Sequence, residues 1–290
     1  MTIVKQLVFQ AGIEPVDASM GSIFFVGNAT VILRYAGFTI LTDPNFLHKG
    51  DHVHLGYGLR STRTTNPALE LADLPPIDLV VLSHLHEDHF DRVVARELNK
   101  AIPIITTSHG AAGLTRKGFT AHGLATWETC VCTKGDTQLR ITAMPGRHGP
   151  AIVGRLLPPV MGSMLEFQQD DETTLRLYIS GDTLVYDALR EIPTRYPDVD
   201  LALLHLGGAR VLGLLVTMDA KHGVEMIKLI DPATAIPIHY NDYTVMKSSL
   251  EDFEREVRAA GLEHRVKYLH HGETCTFERP VPGSREWKYS

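Results

Sequence analysis

Short apolar runs of strand length alternate along the chain with longer amphipathic stretches. Residues 22–35 and 38–42 have the pattern of two strands separated by Gly37, which predicts a hairpin. Further strand-like runs lie at 78–82, 102–106, 175–179 and 235–238. Each run stops at polar residues or glycine, as strands bounded by turns do.

Four stretches have helical spacing, at 88–99, 111–117, 223–229 and 249–260. In the first of them one face is apolar, with Phe90, Val93, Val94 and Leu98, and Asp91 lies in the predicted first turn. Because strand and helix patterns alternate, we expect an α/β layered domain rather than a pure β-sandwich.

A long segment, 44–68, shows no steady period. It combines several glycines with His48, His52, His54, Tyr57, Arg60 and Arg63. A loop of this length in a compact domain tends to be functional or disordered. We favour a loop that lines the mouth of a site. The alternatives are a plain surface loop, or an extra metal site in which the alternating residues His52 and His54 face one way.

The length and composition allow a substantial core. The 290 residues suffice for one large domain or two small ones, and 44% of them are hydrophobic. No linker rich in Pro, Gly or Ser, no low-complexity tract and no internal repeat divides the sequence. We therefore predict one domain, residues 1–290.

The charge, cysteine and hydropathy patterns narrow the class of protein. A net charge of -6 argues against broad binding of a nucleic-acid backbone. Cys130, Cys132 and Cys275 make no disulfide framework and are expected to be strand or core thiols. No apolar run approaches the roughly 18 residues of a membrane span, and the first residues lack a secretion signal. We expect a soluble, cytoplasmic protein with a small-molecule substrate, and we leave homo-oligomerisation open.

The most informative segment is 83–89, which follows the strand predicted at 78–82 and contains three histidines and two acidic residues. Imidazole and carboxylate are the ligands that borderline divalent metals prefer. If the strand end stays extended, His84 and His86 face one side and can share one ion. Asp88 and His89 follow at a spacing that fits a turn, so they can hold a second ion. The paired cysteines of a zinc finger are missing.

Three further segments place polar side chains at predicted strand ends. They are Gly146-Arg147-His148-Gly149, Ser180-Gly181-Asp182-Thr183 and Ile236-Pro237-Ile238-His239-Tyr240. Taken singly, each histidine is more often an ordinary hydrogen-bonded residue, and an aspartate beside glycine is more often part of a turn. Their common position, together with the motif at 83–89, favours one shared site.

In this order, the motifs resemble the signature of the metallo-β-lactamase superfamily, over about residues 20–278. The resemblance implies an αββα four-layer α/β fold, with two β-sheets packed face to face, helices outside and metals at one edge. It narrows toward ascorbate-6-phosphate lactonases and N-acyl-phosphatidylethanolamine phospholipase D enzymes through Gly27-Asn28-Ala29-Thr30-Val31, Leu41-Thr42-Asp43-Pro44 and Leu74-Pro75-Pro76-Ile77-Asp78. That branch usually has histidine where this chain has Asn28, although asparagine can keep a positioning role through its own hydrogen bonds.

The resemblance also implies the ligands of two divalent metal ions. One ion is held by His84, His86 and His148, the other by Asp88, His89 and His239, and Asp182 bridges both. Zinc is favoured, with manganese or iron as alternatives. Two adjacent dications deprotonate bound water near neutral pH, and the bridging hydroxide attacks an electrophilic carbon or phosphorus. Asp88 and Asp182 are therefore the catalytic candidates, and Asp88 is also a candidate for proton transfer to the leaving group.

Five other residues are candidates for supporting roles. Asp43 and Asp91 can orient ligand imidazoles, or else serve as turn or helix-start residues. Arg60, Arg63 and Arg147 can contact an anionic substrate, or else lie in solvent or in structural ion pairs.

We predict a metal-dependent hydrolase of a small, anionic ester, with a phosphodiester preferred and a lactone or other carboxylic ester as the alternative. A mononuclear iron oxygenase of the same superfamily is a second alternative, and a non-catalytic metal-binding protein is a third. His86 argues against the diiron reductases, which usually have glutamate there. The complete ligand set argues against a protein without activity.

Overall fold

The computed structural model describes residues 2–11, 18–55, 60–150, 157–211, 213–279 and 287–290. The strands are β1 (Thr2–Phe9), β2 (Met20–Gly27), β3 (Thr30–Tyr35), β4 (Phe38–Thr42), β5 (His52–His54), β6 (Arg60–Thr62), β7 (Leu79–Val81), β8 (Ile104–Thr107), β9 (Ala121–Leu124), β10 (Glu128–Lys134), β11 (Thr137–Met144), β12 (Gly162–Gln169), β13 (Glu172–Ile179), β14 (Leu201–His205), β15 (Arg210–Val211), β16 (Leu214–Leu215), β17 (Thr234–Ile238), β18 (Thr274–Glu278) and β19 (Lys288–Tyr289). The helices are α1 (Arg92–Glu97), α2 (Ser108–Thr115), α3 (Glu191–Arg195), α4 (Ala220–Ile230) and α5 (Leu250–Ala259), with 3-10 turns at Leu71–Asp73, Asp187–Arg190 and Glu263–Arg265.

Two large mixed sheets form the centre of the molecule. One has seven strands in the order β1-β10-β11-β12-β13-β14-β17, and the other has eight in the order β19-β18-β2-β3-β4-β7-β8-β9. In the first sheet β11 and β13 are both antiparallel to β12, while β13, β14 and β17 are mutually parallel. In the second sheet β4, β7 and β8 are parallel. The carboxyl ends of parallel neighbours therefore lie at a common edge of each sheet.

The two sheets pack face to face through a continuous apolar core. Residues of both sheets belong to one buried cluster, and the rings of Tyr35 on β3 and Phe167 on β12 meet edge to face at 5.1 Å. On the outer face of the eight-stranded sheet, Val94 of α1 and Leu114 of α2 pack in a second cluster with Val80. Fully burying an aliphatic or aromatic side chain of this kind contributes about 1.5–3 kcal/mol.

Helices α4 and α5 cover the seven-stranded sheet. Met226 and Phe253 are buried in the same cluster as Leu204 of β14. A Cβ at Gly223 of α4 would lie 2.8 Å from the side chains of both Leu206 and Phe253, so a residue without a side chain lets α4 approach its neighbours. The predicted αββα four-layer fold is thus confirmed.

Residues 22–35 were expected to form one strand, but they form a hairpin. Gly27 and Asn28 have φ angles of 136° and 54°, and these positive values turn the chain between β2 and β3. The expectation was wrong because apolar residues flank the turn on both sides and hide it in the hydrophobic pattern. The hairpin predicted around Gly37 is confirmed, since β3 and β4 pair antiparallel there.

The helix expected at 88–99 is shorter, because α1 begins only at Arg92. Asp91 is its N-cap rather than a residue of its first turn, and the Asp91 carboxylate accepts hydrogen bonds from the backbone N–H groups of Val93 and Val94. The expected helices at 111–117, 223–229 and 249–260 correspond to α2, α4 and α5, each shifted by a few residues at its ends. Ser249 begins α5 with a capping box to Asp252.

Cys130 and Cys132 on β10 and Cys275 on β18 are buried free thiols, as expected. Within the described ranges, no helix is long and apolar enough to cross a membrane. The single-domain organisation of residues 1–290 stays a prediction.

Candidate metal centre

The predicted ligands lie at the carboxyl ends of strands from both sheets. Residues 83–89 follow β7, His148 follows β11, Asp182 follows β13 and His239 follows β17. Two further polar residues lie at the same place, because Asp43 follows β4 and His205 is the last residue of β14. The fold therefore brings side chains that are far apart in sequence to one edge of the two sheets.

His84, His86 and His148 form one group, in which one nitrogen of each ring lies within 4.8 Å of the others. The Nε2 atom of His84 and the Nδ1 atom of His86 are 2.9 Å apart. His84 and His148 are buried. Three imidazoles in this arrangement are a donor set suited to zinc and similar divalent ions.

Asp88, His89, Asp182 and His239 form a second group within the same distance limit. The Nε2 atom of His89 is 3.4 Å from Oδ2 of Asp182 and 3.7 Å from Oδ2 of Asp88, and Nε2 of His239 is also 3.7 Å from Oδ2 of Asp88. The structure places Asp182 in this second group. That Asp182 also binds the ion held by the three histidines stays a prediction.

Several atoms of the second group are buried without a hydrogen-bond partner: Asp88 Oδ1, His89 Nε2 and His239 Nε2. Leaving a buried polar atom unsatisfied costs about 1–3 kcal/mol. Donor atoms that converge without partners in the protein are what a divalent cation requires, so the second group fits a metal that the sequence resemblance implies. The first group fits through the chemistry of its three imidazoles.

Backbone carbonyl groups fix which ring nitrogen is free in two of the histidines. His148 donates from Nδ1 to the carbonyl oxygen of Val216 at 2.8 Å, and His239 donates from Nδ1 to that of Leu206 at 3.1 Å. A carbonyl oxygen only accepts, so Nδ1 must carry the hydrogen and Nε2 of the neutral ring keeps its lone pair. This is the tautomer in which Nε2 can bind a metal.

Burial and neighbouring charges give the two groups different protonation preferences. Burial, followed by the charges of His89 and His86, holds the pKa of His84 well below 6.5, and burial, although Asp88 opposes it, lowers the pKa of His86 to about 4. In the second group burial also lowers the pKa of His89, but Asp182 and Asp88 outweigh it and raise that pKa well above 6.5. The first group therefore favours neutral rings.

The carboxylates of the second group are ionised. Burial alone would raise the pKa of Asp182, but the imidazoles of His239 and His89 lower it well below 3.8. The pKa of Asp88 is lowered in the same way, mainly because His89 outweighs burial. Ionised carboxylates and unprotonated ring nitrogens are the forms that bind a metal.

Sequence reasoning missed His205 and Thr217, both of which contact Asp182. Nδ1 of His205 is 3.2 Å from Asp182 Oδ1, and Oγ1 of Thr217 donates to Asp182 Oδ2 at 3.1 Å. His205 had the same signal as the predicted ligands, a histidine at the end of an apolar run, but no motif drew attention to it. Thr217 had no signal.

Asn28 and Asp43 support the site as positioning residues. Asn28 donates from Nδ2 to the backbone oxygen of Asp88 at 2.7 Å, and the backbone oxygen of Asn28 accepts from the backbone N–H of His239 at 2.7 Å. Oδ1 of Asp43 accepts from the backbone N–H and the hydroxyl of Ser83, at 2.7 and 2.9 Å, and lies 3.5 Å from Nδ1 of His89. Asp43 is thus placed next to a predicted ligand.

Among the residues that the structure describes, the Asp91 carboxylate contacts backbone N–H groups and no imidazole. Besides capping α1, its Oδ2 atom accepts hydrogen bonds from the backbone N–H groups of Phe46 and Leu47. The carboxylate therefore joins the start of the long loop to the start of α1, so of the two roles expected for Asp91 the structure agrees with that of a helix-start residue.

The three predicted substrate contacts have different surroundings. Arg60 is exposed on β6. Arg147 is half-buried, and its guanidinium lies 4.3 Å from the centre of the Tyr186 ring. The side chain of Arg63 is fully buried, 3.7 Å from Oδ1 of the equally buried Asp242. Arg63 was predicted to contact the substrate, but its side chain instead contacts buried groups of the protein.

The long loop contacts the ligand-bearing segment. The side chain of Asn45 donates to the backbone oxygen of Glu87 at 3.2 Å, and the backbone N–H of His54 donates to Oε2 of Glu87 at 2.7 Å. Residues 56–59, including Tyr57, lie outside the described residues. In the described part of the loop, neither His52 nor His54 belongs to a group able to hold a metal, which argues against the extra site.

Two sheets packed face to face, with histidine and aspartate clusters at their common edge, define the fold class of the metallo-hydrolases. Residues 39–240 match the family model described as "Beta-lactamase superfamily domain". This match covers more than half of the chain, so the protein belongs to the metallo-β-lactamase superfamily, as the sequence motifs indicated.

The chain is similar to relatives that bear the UPF0173 family name. It is 28% identical to the UPF0173 protein YddR of Bacillus subtilis over 264 residues, covering 87% of this chain and 98% of that protein. It is also 28% identical to a UPF0173 metal-dependent hydrolase of Ignicoccus hospitalis, covering 69% of this chain and 79% of that protein. Membership of the narrower lactonase and phospholipase branch stays a prediction.

Solved structures support the fold. An isothiocyanate hydrolase from Delia radicum gut bacteria has a TM-score of 0.73 at 24% identity, covering 87% of this chain and 98% of its own. A possible metal-dependent hydrolase from Veillonella parvula has a TM-score of 0.74 at 23% identity, covering 88% of this chain and 98% of its own.

Proposed function

We propose that this protein is a dinuclear metal-dependent hydrolase of small anionic esters. The observation that carries the proposal is the convergence of two groups, one of three histidines and one of two aspartates and two histidines, together with buried donor atoms of the second group that have no partner in the protein. Divalent ions bound there would lower the pKa of bound water and stabilise negative charge on the substrate. Two of the relatives are named metal-dependent hydrolases, so the oxygenase alternative is not favoured.

In this proposal the two groups have distinct tasks. His84, His86 and His148 would hold one ion, Asp88, His89 and His239 would hold the other, and Asp182 would bind both. The backbone carbonyls of Val216 and Leu206 keep the His148 and His239 rings oriented with Nε2 free. The supporting hydrogen bonds come from strand ends, which are rigid elements.

Asp88 is proposed first as a ligand. Its lowered pKa, which His89 causes in spite of burial, keeps the carboxylate ionised near neutral pH. An ionised carboxylate can bind a cation but has no proton to donate. Proton transfer by Asp88 to a leaving group therefore remains the secondary role.

The anionic character of the substrate rests on Arg147 and Arg60. Arg147 adjoins His148, and its guanidinium rests on the Tyr186 ring, which fixes its direction. A guanidinium matches the oxygens of a phosphate or carboxylate. The resemblance to the phospholipase and lactonase branch leads to both chemistries, and these cations place a phosphodiester ahead of a lactone.

A panel of substrates on protein with a defined metal content tests the proposal. Phosphodiesters, lactones, thioesters and β-lactams are assayed, with an isothiocyanate added because a structural neighbour is named for that activity. We expect metal-dependent turnover of a phosphodiester that is lost after chelation and restored by zinc or manganese. Arg147→Ala should weaken this reaction and leave a neutral lactone nearly unaffected. Efficient turnover of neutral lactones with none of phosphodiesters would overturn the substrate assignment, and no metal binding would overturn the function.

A further inference from the structure

His205 lies between two carboxylates at the metal centre. Its side chain is fully buried, with Nδ1 at 3.2 Å from Oδ1 of Asp182 and Nε2 at 3.7 Å from Oδ2 of Asp43. The ring stands 5.5 Å from the His239 ring and nearly parallel to it, at 27°. This imidazole is thus part of the packing around the proposed ligands without belonging to either group assigned above.

The backbone holds His205 in this position. His205 is the last residue of β14, so its backbone belongs to the sheet rather than to a loop. Its backbone N–H donates to the hydroxyl of Ser180 at 2.9 Å. Ser180 lies two residues before Asp182 and donates its own N–H to the backbone oxygen of Leu203 at 3.0 Å. The ends of β13 and β14 are therefore joined on both sides of the contact between His205 and Asp182.

Two roles are compatible with these distances. His205, Asp43 and His89 together offer three ligand atoms within 4.8 Å, which would suit a third ion. However, Oδ1 of Asp43 already accepts two hydrogen bonds from Ser83, and Nδ1 of His205 lies at hydrogen-bond distance from Asp182. The hydrogen-bonding role accounts for these contacts without a third ion.

The geometry points to His205 as a positioning residue for Asp182, an inference that rests on the proposed function. Nδ1 of His205 donates to Oδ1 of Asp182, while the hydroxyl of Thr217 donates to Oδ2. Each carboxylate oxygen thus has one fixed donor and keeps a lone pair for a metal. His205 acts through Asp182, so it sets the affinity of the site for its metal.

Two substitutions separate the two ring nitrogens. The side-chain nitrogen of asparagine takes the place of Nδ1, and that of glutamine takes the place of Nε2. His205→Asn therefore keeps the donor to Asp182, whereas His205→Gln loses it and keeps a donor near Asp43. His109→Gln is the matched control, because it removes an exposed imidazole from α2.

The measurement is competition titration of metal-free protein with zinc and with cobalt against a chromophoric chelator. We expect His205→Gln to bind the weaker of its two ions about 10–100-fold less tightly than the natural protein, because loss of a hydrogen bond to a ligand has effects of this size. His205→Asn should stay within about threefold, and His109→Gln should not differ. Equal affinity in the asparagine and glutamine variants, whether reduced or unchanged, overturns the inference.

A second measurement uses the natural protein and does not depend on folding of a variant. With labelled histidine and an NMR-active cadmium isotope, the ligand nitrogens show coupling to the metal. His205 should show a protonated Nδ1 and no coupling. Coupling of either His205 nitrogen, or three ions per chain, would make it a ligand and overturn the positioning role. Absence of any bound metal would instead reject the proposed function and, with it, this inference.

Discussion

Replacing Arg63 by methionine tests whether this arginine is structural. Its guanidinium is fully buried beside Asp242, donates from Nε to the backbone oxygen of Thr65 at 3.2 Å and from an Nη atom to that of Asn45 at 3.3 Å. It also lies 5.5 Å from the centre of the Tyr243 ring. Methionine is unbranched and apolar and takes the place of the aliphatic part of the arginine side chain, so the change removes mainly the guanidinium with its charge and donors.

The expected loss follows from the state in which Asp242 is left. Removing one partner of a buried ion pair costs about 3–5 kcal/mol. Asp242 retains donors from the Thr65 hydroxyl, from the backbone N–H of Asn28 at 3.0 Å and from Nε2 of His271 at 3.3 Å. We therefore expect the lower end, about 3 kcal/mol. For 290 residues, an unfolding entropy of about 2.1 cal/mol/K per residue converts this to about 5 °C in Tm.

The assay is urea unfolding of metal-free protein, with Arg60→Met as the matched control. Arg60 is exposed three residues earlier, so the same chemical change should alter the free energy of unfolding by less than about 0.5 kcal/mol. If Arg63→Met unfolds like the natural protein but loses hydrolysis of an anionic substrate, the assignment of Arg63 to the structural network is wrong.

Three further predictions concern the metal centre. Elemental analysis should find up to two ions per chain, falling to one in His239→Ala; a natural stoichiometry of one that this variant leaves unchanged would exclude a dinuclear site. Asp182→Asn should reduce turnover more than about 100-fold while lowering the Tm of the metal-free protein by less than about 5 °C, and full activity would refute the role of Asp182. Metal affinity should fall as the pH decreases, because protons compete with a metal for the His89 and His239 rings. Asp182 raises the pKa of both rings in opposition to burial. Protonation therefore stabilises the metal-free protein fully below about pH 6.5, and this contribution disappears as the pH rises through the raised values. Chelator competition at several pH values checks this, and an affinity independent of pH would contradict it.

The hydrophobic pattern predicted a layered α/β domain, strands β4, β7, β8, β13 and β17, and helices α1, α2, α4 and α5. It missed other strands, among them β10, β11, β12 and β14, and the turns that depend on single backbone angles. The turn at Asn28 interrupts an apolar stretch whose composition is the same on both sides. The delayed start of α1 has another cause. Asp91 caps α1 with one carboxylate oxygen and accepts from Phe46 and Leu47 with the other, and such a long-range contact leaves no trace in the local sequence.

Motif order predicted which histidines and aspartates gather at the site, because strand ends meet at a common edge in a parallel arrangement. It could not predict that Arg63 is buried, since an arginine on a long polar loop usually faces solvent. It also gave no reason to select His205, whose role depends on the distance between the ends of β13 and β14.

The orientation of the proposed ligands depends partly on backbone carbonyl groups, which every residue type has. Val216 and Leu206 accept the Nδ1 hydrogens of His148 and His239 through their backbone carbonyls. The same hydrogen bonds could therefore form whatever side chain these two positions had. What selects the tautomer is the path of the chain after β14 and before α4. Because Leu206 directly follows β14 and Val216 directly follows β16, the fold selects Nε2 as the ring nitrogen available to a metal before any ion binds. The metal centre is therefore a property of the strand ends as much as of the histidine motif.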